Sequence, residues 1–257
     1  MGDHIFDLTG RVAVVTGGNG GLGLGMAEAL AGLGCAVSLW GRNEDKLKAA
    51  AAKIGDAAST IVCDVTDKAS IDAAFAAALD RHGRVDGMFA NAGVAAPARP
   101  SDERPEEDWA RMLGVNVEGV ALCFQAATRH FKDRAAAGDP FGRLVVTSSV
   151  ASIMGAARAE HYGASKGAAN AMIRALAVEL ARYGVTANAI LPGYAESEMT
   201  APLMANDKFV AATLPRVPMR RFGVPGDYGG IAAYLMSEAS GYHTGQCFVI
   251  DGGYSIF

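Results

Sequence analysis

Val12-Ala13-Val14-Val15-Thr16 runs directly into Gly17-Gly18-Asn19-Gly20-Gly21-Leu22-Gly23, and helical apolar spacing follows over 26–33. A β-branched run that ends in a glycine cluster at the mouth of a helix reads as strand, tight turn and helix N-terminus. Glycine is needed at such a turn because a side chain would hold a pyrophosphate away from the N–H groups of the helix end. In isolation a glycine cluster marks only a turn; between a first strand and a first helix it reads as a dinucleotide-binding loop. Two spacings fit, Gly18-x-Gly20-x-x-Gly23 and Gly17-x-x-x-Gly21-x-Gly23.

Outward from that loop the pattern repeats. Short apolar runs at 12–15, 36–40, 60–63, 85–89, 144–147, 185–191 and 247–250 alternate with helical spacing at 26–33, 43–54, 68–81, 106–134, 159–183 and 227–237. Strands separated by helices imply parallel β-α-β units with right-handed crossovers. The runs are almost continuously apolar, as strands covered on both faces are. The expectation is one α/β domain over 1–257, a doubly wound, seven-stranded parallel sheet of Rossmann type with helices on both faces. The irregular stretch between Pro192 and Pro225 is long enough to be functional, and a substrate lid is expected over about 193–225.

Composition agrees. The 257 residues are 51% hydrophobic and 19% charged, with 50 alanines and 32 glycines. That length suits one large α/β domain, and so little charge excludes disorder. A net charge of −4 with interspersed signs lacks the basic stripe of a nucleic-acid reader. The longest uncharged stretch, 12–27, is 16 residues and glycine-rich, too short to span a bilayer. Met1-Gly2-Asp3-His4 is not the basic-then-apolar opening of a secretory leader, so a soluble cytoplasmic protein is expected. Cys35, Cys63, Cys123 and Cys247 form no C-x-x-C pair and read as inert, mostly buried thiols, with neither a disulfide nor a metal site expected.

In an open parallel sheet, ligands bind beyond the carboxyl ends of the strands. After the second strand comes Gly41-Arg42-Asn43, where an acid would bind a ribose 2′-hydroxyl and none is present. Glu44 and Asp45 come late enough to be first-turn helix residues, where acids favour the dipole. Arg42 therefore favours NADP through a 2′-phosphate; its plain alternative is a solvated loop arginine, and NAD stays open. Asp64, after the third strand, reads as an acceptor for the adenine amino group or as a helix N-cap. Asn91-Ala92-Gly93, after the fourth, reads as a cofactor-lining turn or a plain one.

Tyr162 and Lys166 share one face of a helical segment. The pair alone is weak in a chain with 7 tyrosines and 7 lysines. An adjacent ammonium favours a phenolate, so Tyr162 is expected to have a lowered pKa and to exchange a proton with a hydroxyl or carbonyl oxygen. Ser149 follows the strand 144–147 and can bond the same oxygen, with Ser148 turned the other way as a structural residue. Asn116, between Val115 and Val117, is a poor helix former in an apolar setting. It reads as a local kink or as a polar relay toward the lysine. Candidate substrate residues are Ser152, Ile153, Met154, Arg158, His161, Tyr194 and the stretch 198–222. Ile153 and Met154 favour a compact, apolar substrate such as a cyclic ketone. Arg158 reads as an anion reader or a surface arginine. His161, about 100° around the helix from Tyr162, reads as a surface or subunit-contact residue.

Together these motifs resemble those of the short-chain dehydrogenase/reductase family from Arg11 onward. They are Thr16-Gly17-x-x-x-Gly21-x-Gly23, Asp64-Val65, Asn91-Ala92-Gly93, Asn116, Ser149, Tyr162-x-x-x-Lys166, Pro192-Gly193 and Asp251-Gly252-Gly253. The resemblance implies an oxidoreductase that passes a hydride between NAD(P) and a secondary alcohol or its ketone. It implies Tyr162 as general acid/base, Lys166 lowering its pKa and holding the nicotinamide ribose, Ser149 orienting substrate and Asn116 ordering a relay water. Cofactor contacts are implied for Gly17, Asn19, Gly20, Gly21, Leu22, Gly23, Arg42, Asn43, Asp64, Val65, Asn91, Ala92, Gly93, Pro192, Gly193, Ala195 and Ser197, besides Tyr162 and Lys166. A homotetramer or homodimer is also implied, and apolar surface on the segments 106–134 and 159–183 and on Tyr254, Ile256 and Phe257 allows it.

Three departures qualify the match. Ser197 is often Thr in the family, and keeps the hydroxyl. Ala195 replaces a usual Ile or Val, which should slightly widen the pocket. Gly20 stands where many NADP-preferring members carry Arg or Lys, leaving Arg42 alone to support NADP. The rival readings are a 3-oxoacyl reductase, an epimerase or dehydratase of the same broad fold, and a non-catalytic NADP-sensing or scaffold protein.

Overall fold

Every residue of the first strand, β1 (Val12–Thr16), is buried, because the strand lies inside the sheet with helices on both faces. The structure is a computed structural model that describes residues 5–257; the leader reading of residues 1–4 lies outside the described residues. Parallel strands β2 (Ala36–Gly41), β3 (Ala58–Val62), β4 (Gly87–Ala90), β5 (Gly142–Thr147), β6 (Val185–Pro192) and β7 (Cys247–Ile250) complete a seven-stranded sheet in the order β3-β2-β1-β4-β5-β6-β7. The winding direction reverses where β4 returns to the free side of β1, pairing Val15 with Phe89. That reversal opens a crevice at the carboxyl ends of β1 and β4.

Strand side chains alternate between two cores. Val14, Met88, Leu144 and Ala187 meet α3 (Lys68–His82), α5 (Val120–Ala136) and α6 (Glu160–Leu180) around Phe75, Phe131 and Ile173. Val15, Phe89, Val145 and Ile190 meet α1 (Gly21–Gly32), α2 (Glu44–Ile54) and α9 (Gly229–Met236) around Leu30, Leu47 and Leu235. Each such buried Leu, Ile or Phe contributes about 1.5–3 kcal/mol. At the sheet edges the cover is incomplete: Val62 on β3 and Val249 on β7 are exposed.

Three elements differ most from the expected boundaries. The helix expected from 26 begins at Gly21, because the glycine turn is its first turn and the Leu24 N–H donates to the Gly20 carbonyl at 3.2 Å. The helix expected over 106–134 is divided into α4 (Glu106–Leu113), a π-helical turn (Gly114–Gly119) and α5, so the winding widens at Asn116. Glycines at both ends of that turn ease the wider winding. The irregular stretch after β6 carries α7 (Ala201–Met204) and α8 (Asp207–Thr213) and returns to the sheet side through an Ala195–Gly223 bridge.

All four cysteines are free. Burial pushes the Cys35 and Cys123 thiols up to about 12, which makes them unreactive packing groups. Among the described residues no helix is long and apolar enough to cross a membrane, and no cluster of metal-ligating side chains occurs.

Candidate active site

The carboxyl ends of six strands open into one cleft of about 490 Å³. Gly17, Asn19, Gly20, Gly21 and Leu22 form its first wall. Gly17 (φ 64°) and Gly21 (φ 52°) take the left-handed conformation, and a Cβ on Gly23 would lie 2.5 Å from both the Gly17 carbonyl oxygen and the Asn91 amide. The operative spacing is therefore Gly17-x-x-x-Gly21-x-Gly23; Gly18 faces Leu39 and does not line the cleft. Gly23 is not among the cleft-lining residues; it sits behind the loop and lets helix and loop approach. No side chain caps α1 and its first turn holds no acid, so its leading N–H groups remain for an anion.

Asn91 is more than a turn residue. Its Nδ2 donates to the carbonyls of Thr16 (3.0 Å) and Gly17 (3.3 Å), and its Oδ1 accepts from Thr147 Oγ1 (3.0 Å). It braces the glycine loop against β5 while Asn91, Ala92 and Gly93 line the cleft.

Ser149, Tyr162 and Lys166 meet at the opposite wall. The Tyr162 phenol stands beside Ser149, whose influence lowers its pKa. Lys166 is buried; its Nζ donates to the Thr147 carbonyl at 2.7 Å and lies 5.8 Å from the centroid of the Tyr162 ring. The expected lowering of the tyrosine pKa is overturned. Burial raises Tyr162 above its ordinary 10.0, with nearby Ser149 opposing, and burial lowers Lys166 to about 8. Desolvation disfavours both charged forms, and no charge interaction between the two groups offsets it.

A stability prediction follows from the buried ammonium. Its folded pKa of about 8 lies below the ordinary 10.5, so between those values the unfolded chain binds the proton more tightly. The penalty is full below pH 8 and fades as pH rises toward 10.5. Lys166→Met, which conserves volume, is expected to stabilise the cofactor-free protein at pH 7 by on the order of 2 kcal/mol, the lost hydrogen bond to Thr147 offsetting part of the gain. Thermal melts of both proteins across pH 7–10.5 check this, the gap narrowing as pH rises.

Asn116 is buried and does not line the cleft. Its Oδ1 accepts from the Val94 N–H (2.9 Å), and its Nδ2 donates to the Val94 carbonyl (3.0 Å) and Ser165 Oγ (3.1 Å). No direct bond joins it to Lys166. A Cβ at Gly93 would meet both Asn116 Oδ1 (3.2 Å) and Lys166 Nζ (3.5 Å), so the two polar groups approach across that glycine. Ser148 turns away as expected, donating to the Lys166 carbonyl at 3.1 Å.

At the far end of the cleft stand Arg42, Asn43, Asp64 and Val65. Asn43 caps α2, its Oδ1 accepting from the Lys46 N–H at 2.9 Å. Asp64 Oδ1 accepts from the Thr66 N–H (2.9 Å) and Oγ1 (2.8 Å). Those bonds, with the nearby Arg42 guanidinium, hold its carboxyl below the usual range. The cap of α3 is Asp67, so Asp64 is not the helix N-cap. Lys46, missed in the sequence, also lines this end and pairs with Glu198 at 2.7 Å across the mouth. Its signal was present as Arg42-x-x-x-Lys46.

A family model described as Enoyl-(Acyl carrier protein) reductase matches residues 17–255. A sorbose reductase of Schizosaccharomyces pombe is 34% identical over 97% of this chain and 98% of its own. The chain belongs to the short-chain dehydrogenase/reductase family. A gluconate 5-dehydrogenase of Gluconobacter oxydans is also 34% identical, over 98% of this chain and 97% of its own. The crystal structure of a 3-ketoacyl-(acyl-carrier-protein) reductase from Brucella melitensis, complexed with NADH, matches with a TM-score of 0.91 at 33% identity, covering 97% of this chain and all of that one. The protein is accordingly an oxidoreductase of alcohol and keto groups with a nicotinamide cofactor.

In this short-chain dehydrogenase/reductase, Pro192, Gly193, Ala195 and Ser197 line the cleft beyond β6. Thr200, inside the expected lid, holds that turn: its Oγ1 donates to the Ala195 carbonyl (2.5 Å) and accepts from the Ser197 N–H (3.0 Å). Several candidate substrate residues are reassigned. Ser152 donates to the Ser149 carbonyl (2.5 Å) and accepts from Asn170 (2.8 Å), bracing the turn rather than facing a ligand. Tyr194 lies outside the cleft lining, in an aromatic cluster with Phe209, Phe222 and Tyr254 that ties the 193–224 stretch to the chain end. Tyr254 is thereby half-buried rather than exposed. His161 is buried against Trp109 and Arg104, not at the surface, because the start of α6 packs on α4. Ile153 and Arg158 are exposed.

Proposed function

We propose that the protein reduces a ketone to a secondary alcohol, and runs the reverse reaction, with NADP as the favoured cofactor. The observation that carries this reading is the meeting of Ser149, Tyr162 and buried Lys166 in the same cleft as an uncapped helix N-terminus. The cofactor supplies or accepts the hydride when bound. The glycine loop and α1 hold its pyrophosphate, Arg42 and Lys46 its 2′-phosphate, Asp64 its adenine amino group and Lys166 its ribose. Ser149 orients the substrate oxygen and Tyr162 exchanges the proton with it. Neutral Tyr162, kept so by burial, is in the state that reduction needs. Asn116 fixes the π-helical turn and Val94 behind Lys166, with the relay water as its further part. The stretch 193–225, with exposed Met199 in the cleft wall, serves as the substrate lid of a single catalytic domain.

The test is cofactor oxidation by purified protein across ketoses, keto acids, cyclic ketones and 3-oxoacyl thioesters; no turnover on any of them overturns the reading. The named relatives make sugar-type ketones the leading class and 3-oxoacyl chains the second. A charge-assisted contact is worth about 1.5–3 kcal/mol, so Arg42→Ala is expected to cut the NADPH-over-NADH preference in dissociation constant by about 10–100-fold. An unchanged ratio removes the 2′-phosphate role. Free cysteines support a cytoplasmic location. Exposed Val178, Tyr242, Ile256 and Phe257 support the homotetramer or homodimer.

A further inference from the structure

We propose that Arg104 is a positioning residue for Tyr162, its buried guanidinium anchoring the uncapped start of α6 through the Arg158 carbonyl and the Glu160 carboxylate and joining it to the loop after β4. The inference rests on the reading of Tyr162 as the proton donor. Tyr162 is the third residue of α6, and the N-cap residue Ala159 makes no side-chain hydrogen bond to the helix. An uncapped first turn leaves N–H groups unpaired and frays. The anchor comes instead from a residue more than fifty positions earlier in the chain.

The Arg104 side chain is fully buried. Its Nη2 donates to the Arg158 carbonyl (2.6 Å), its Nε to Glu160 Oε1 (2.6 Å), and its Nη1 meets His161 Nε2 at 3.1 Å. Three of the four residues before Tyr162 are thus gripped by one planar group. Its other contacts are to the carbonyls of Pro97 (3.5 Å) and Arg99 (3.2 Å) and to Asp108 Oδ2 (3.4 Å), in the loop after β4 and in α4.

Two further features show that the arrangement is imposed on α6. Arg158 holds φ at 63°, a left-handed conformation that a non-glycine residue keeps only where its surroundings require it. With Arg104 donating to Nε2, the His161 proton sits on Nδ1, which is buried with no hydrogen-bond partner. An ammonium, with three donors and no fork, cannot serve this set of acceptors. Ser149 and Lys166 are held by other contacts, so the effect falls on the Tyr162 turn and not on cofactor binding.

The experiment compares wild type, Arg104→Gln, Arg104→Lys and the double variant Arg104→Gln/Arg158→Gly, with Tyr162→Phe alongside. Steady-state ketone reduction, NADPH titration by fluorescence and thermal melts are measured for each. Arg104→Gln is expected to lower kcat by about tenfold or more, since a small misplacement at the reacting centre is costly, with the NADPH dissociation constant held within about twofold. Arg104→Lys recovers part. Glycine at 158 takes the left-handed turn without the guanidinium, and is expected to restore a large share of the lost kcat. Wild-type kcat in Arg104→Gln, or a loss that Arg158→Gly does not restore, overturns the proposal. Should Arg104→Gln not fold, the same comparison runs on Arg104→Lys with and without Arg158→Gly. An active Tyr162→Phe overturns the underlying tyrosine reading as well, whereas an inactive one with an unaffected Arg104→Gln overturns only the role of Arg104.

Discussion

Tyr162→Phe is expected to lower kcat for ketone reduction by about 10²–10⁴-fold while NADPH binding and the melting temperature stay close to wild type. The substitution removes one oxygen. The ring keeps its packing and its place 5.8 Å from Lys166 Nζ; what is lost is the phenolic proton. Because burial raises the tyrosine pKa, the group is a neutral acid at pH 7, ready for reduction. Oxidation needs the phenolate, so the alcohol-to-ketone rate of the wild type is expected to climb with pH beyond neutrality, and that climb should vanish in the variant. Assays in both directions over a pH series check the two halves together. Turnover within about tenfold of wild type would overturn Tyr162 as the proton donor.

The largest stability loss is expected at the other end of the sheet, from Asp86→Ala. Asp86 is buried, accepts the Val12 N–H at 2.9 Å at the start of the central strand, and takes a two-pronged contact from Arg84. Arg134 Nη1 stands 3.0 Å and Arg11 Nη1 3.5 Å from its Oδ1. One buried carboxylate therefore holds three guanidiniums and the main chain of β1. Truncating one member of a buried ionic set leaves uncompensated charge and costs about 3–5 kcal/mol. At roughly 2–4 °C per kcal/mol for a chain of this size, the melting temperature should fall on the order of 10 °C. A fall under about 2 °C would show that water or Asp139 takes over the arginines. Since the cluster lies at the amino ends of the strands, residual activity of folded protein should be little changed.

Much of the site was legible as spacing. Gly17, Gly21 and Gly23, and Tyr162 with Lys166, lie within eight residues of one another, where backbone geometry alone sets which side chains share a turn or a helix face. The strand ends were legible for the same reason, because continuous apolar runs bracketed by turns locate the carboxyl ends where Arg42, Asp64, Asn91, Ser149 and Pro192 stand. The choice between the two glycine spacings was not, since it depends on how closely Asn91 of another strand approaches Gly23.

The amino-acid sequence was enough for the fold class, the family and the order of the cleft residues, because these rest on local periodicity and short-range spacing. Folding settled the rest. Arg104 sits in an acidic run, and only the packing of α4 and α6 around it buries its side chain; His161 follows it into the interior. Lys46 and Glu198, 152 residues apart, become neighbours only across the folded cleft. The sign of the Tyr162 shift reversed for the same reason: two charges at a helical spacing suggest attraction, but the penalty for removing them from water depends on everything packed around them, which spacing does not encode.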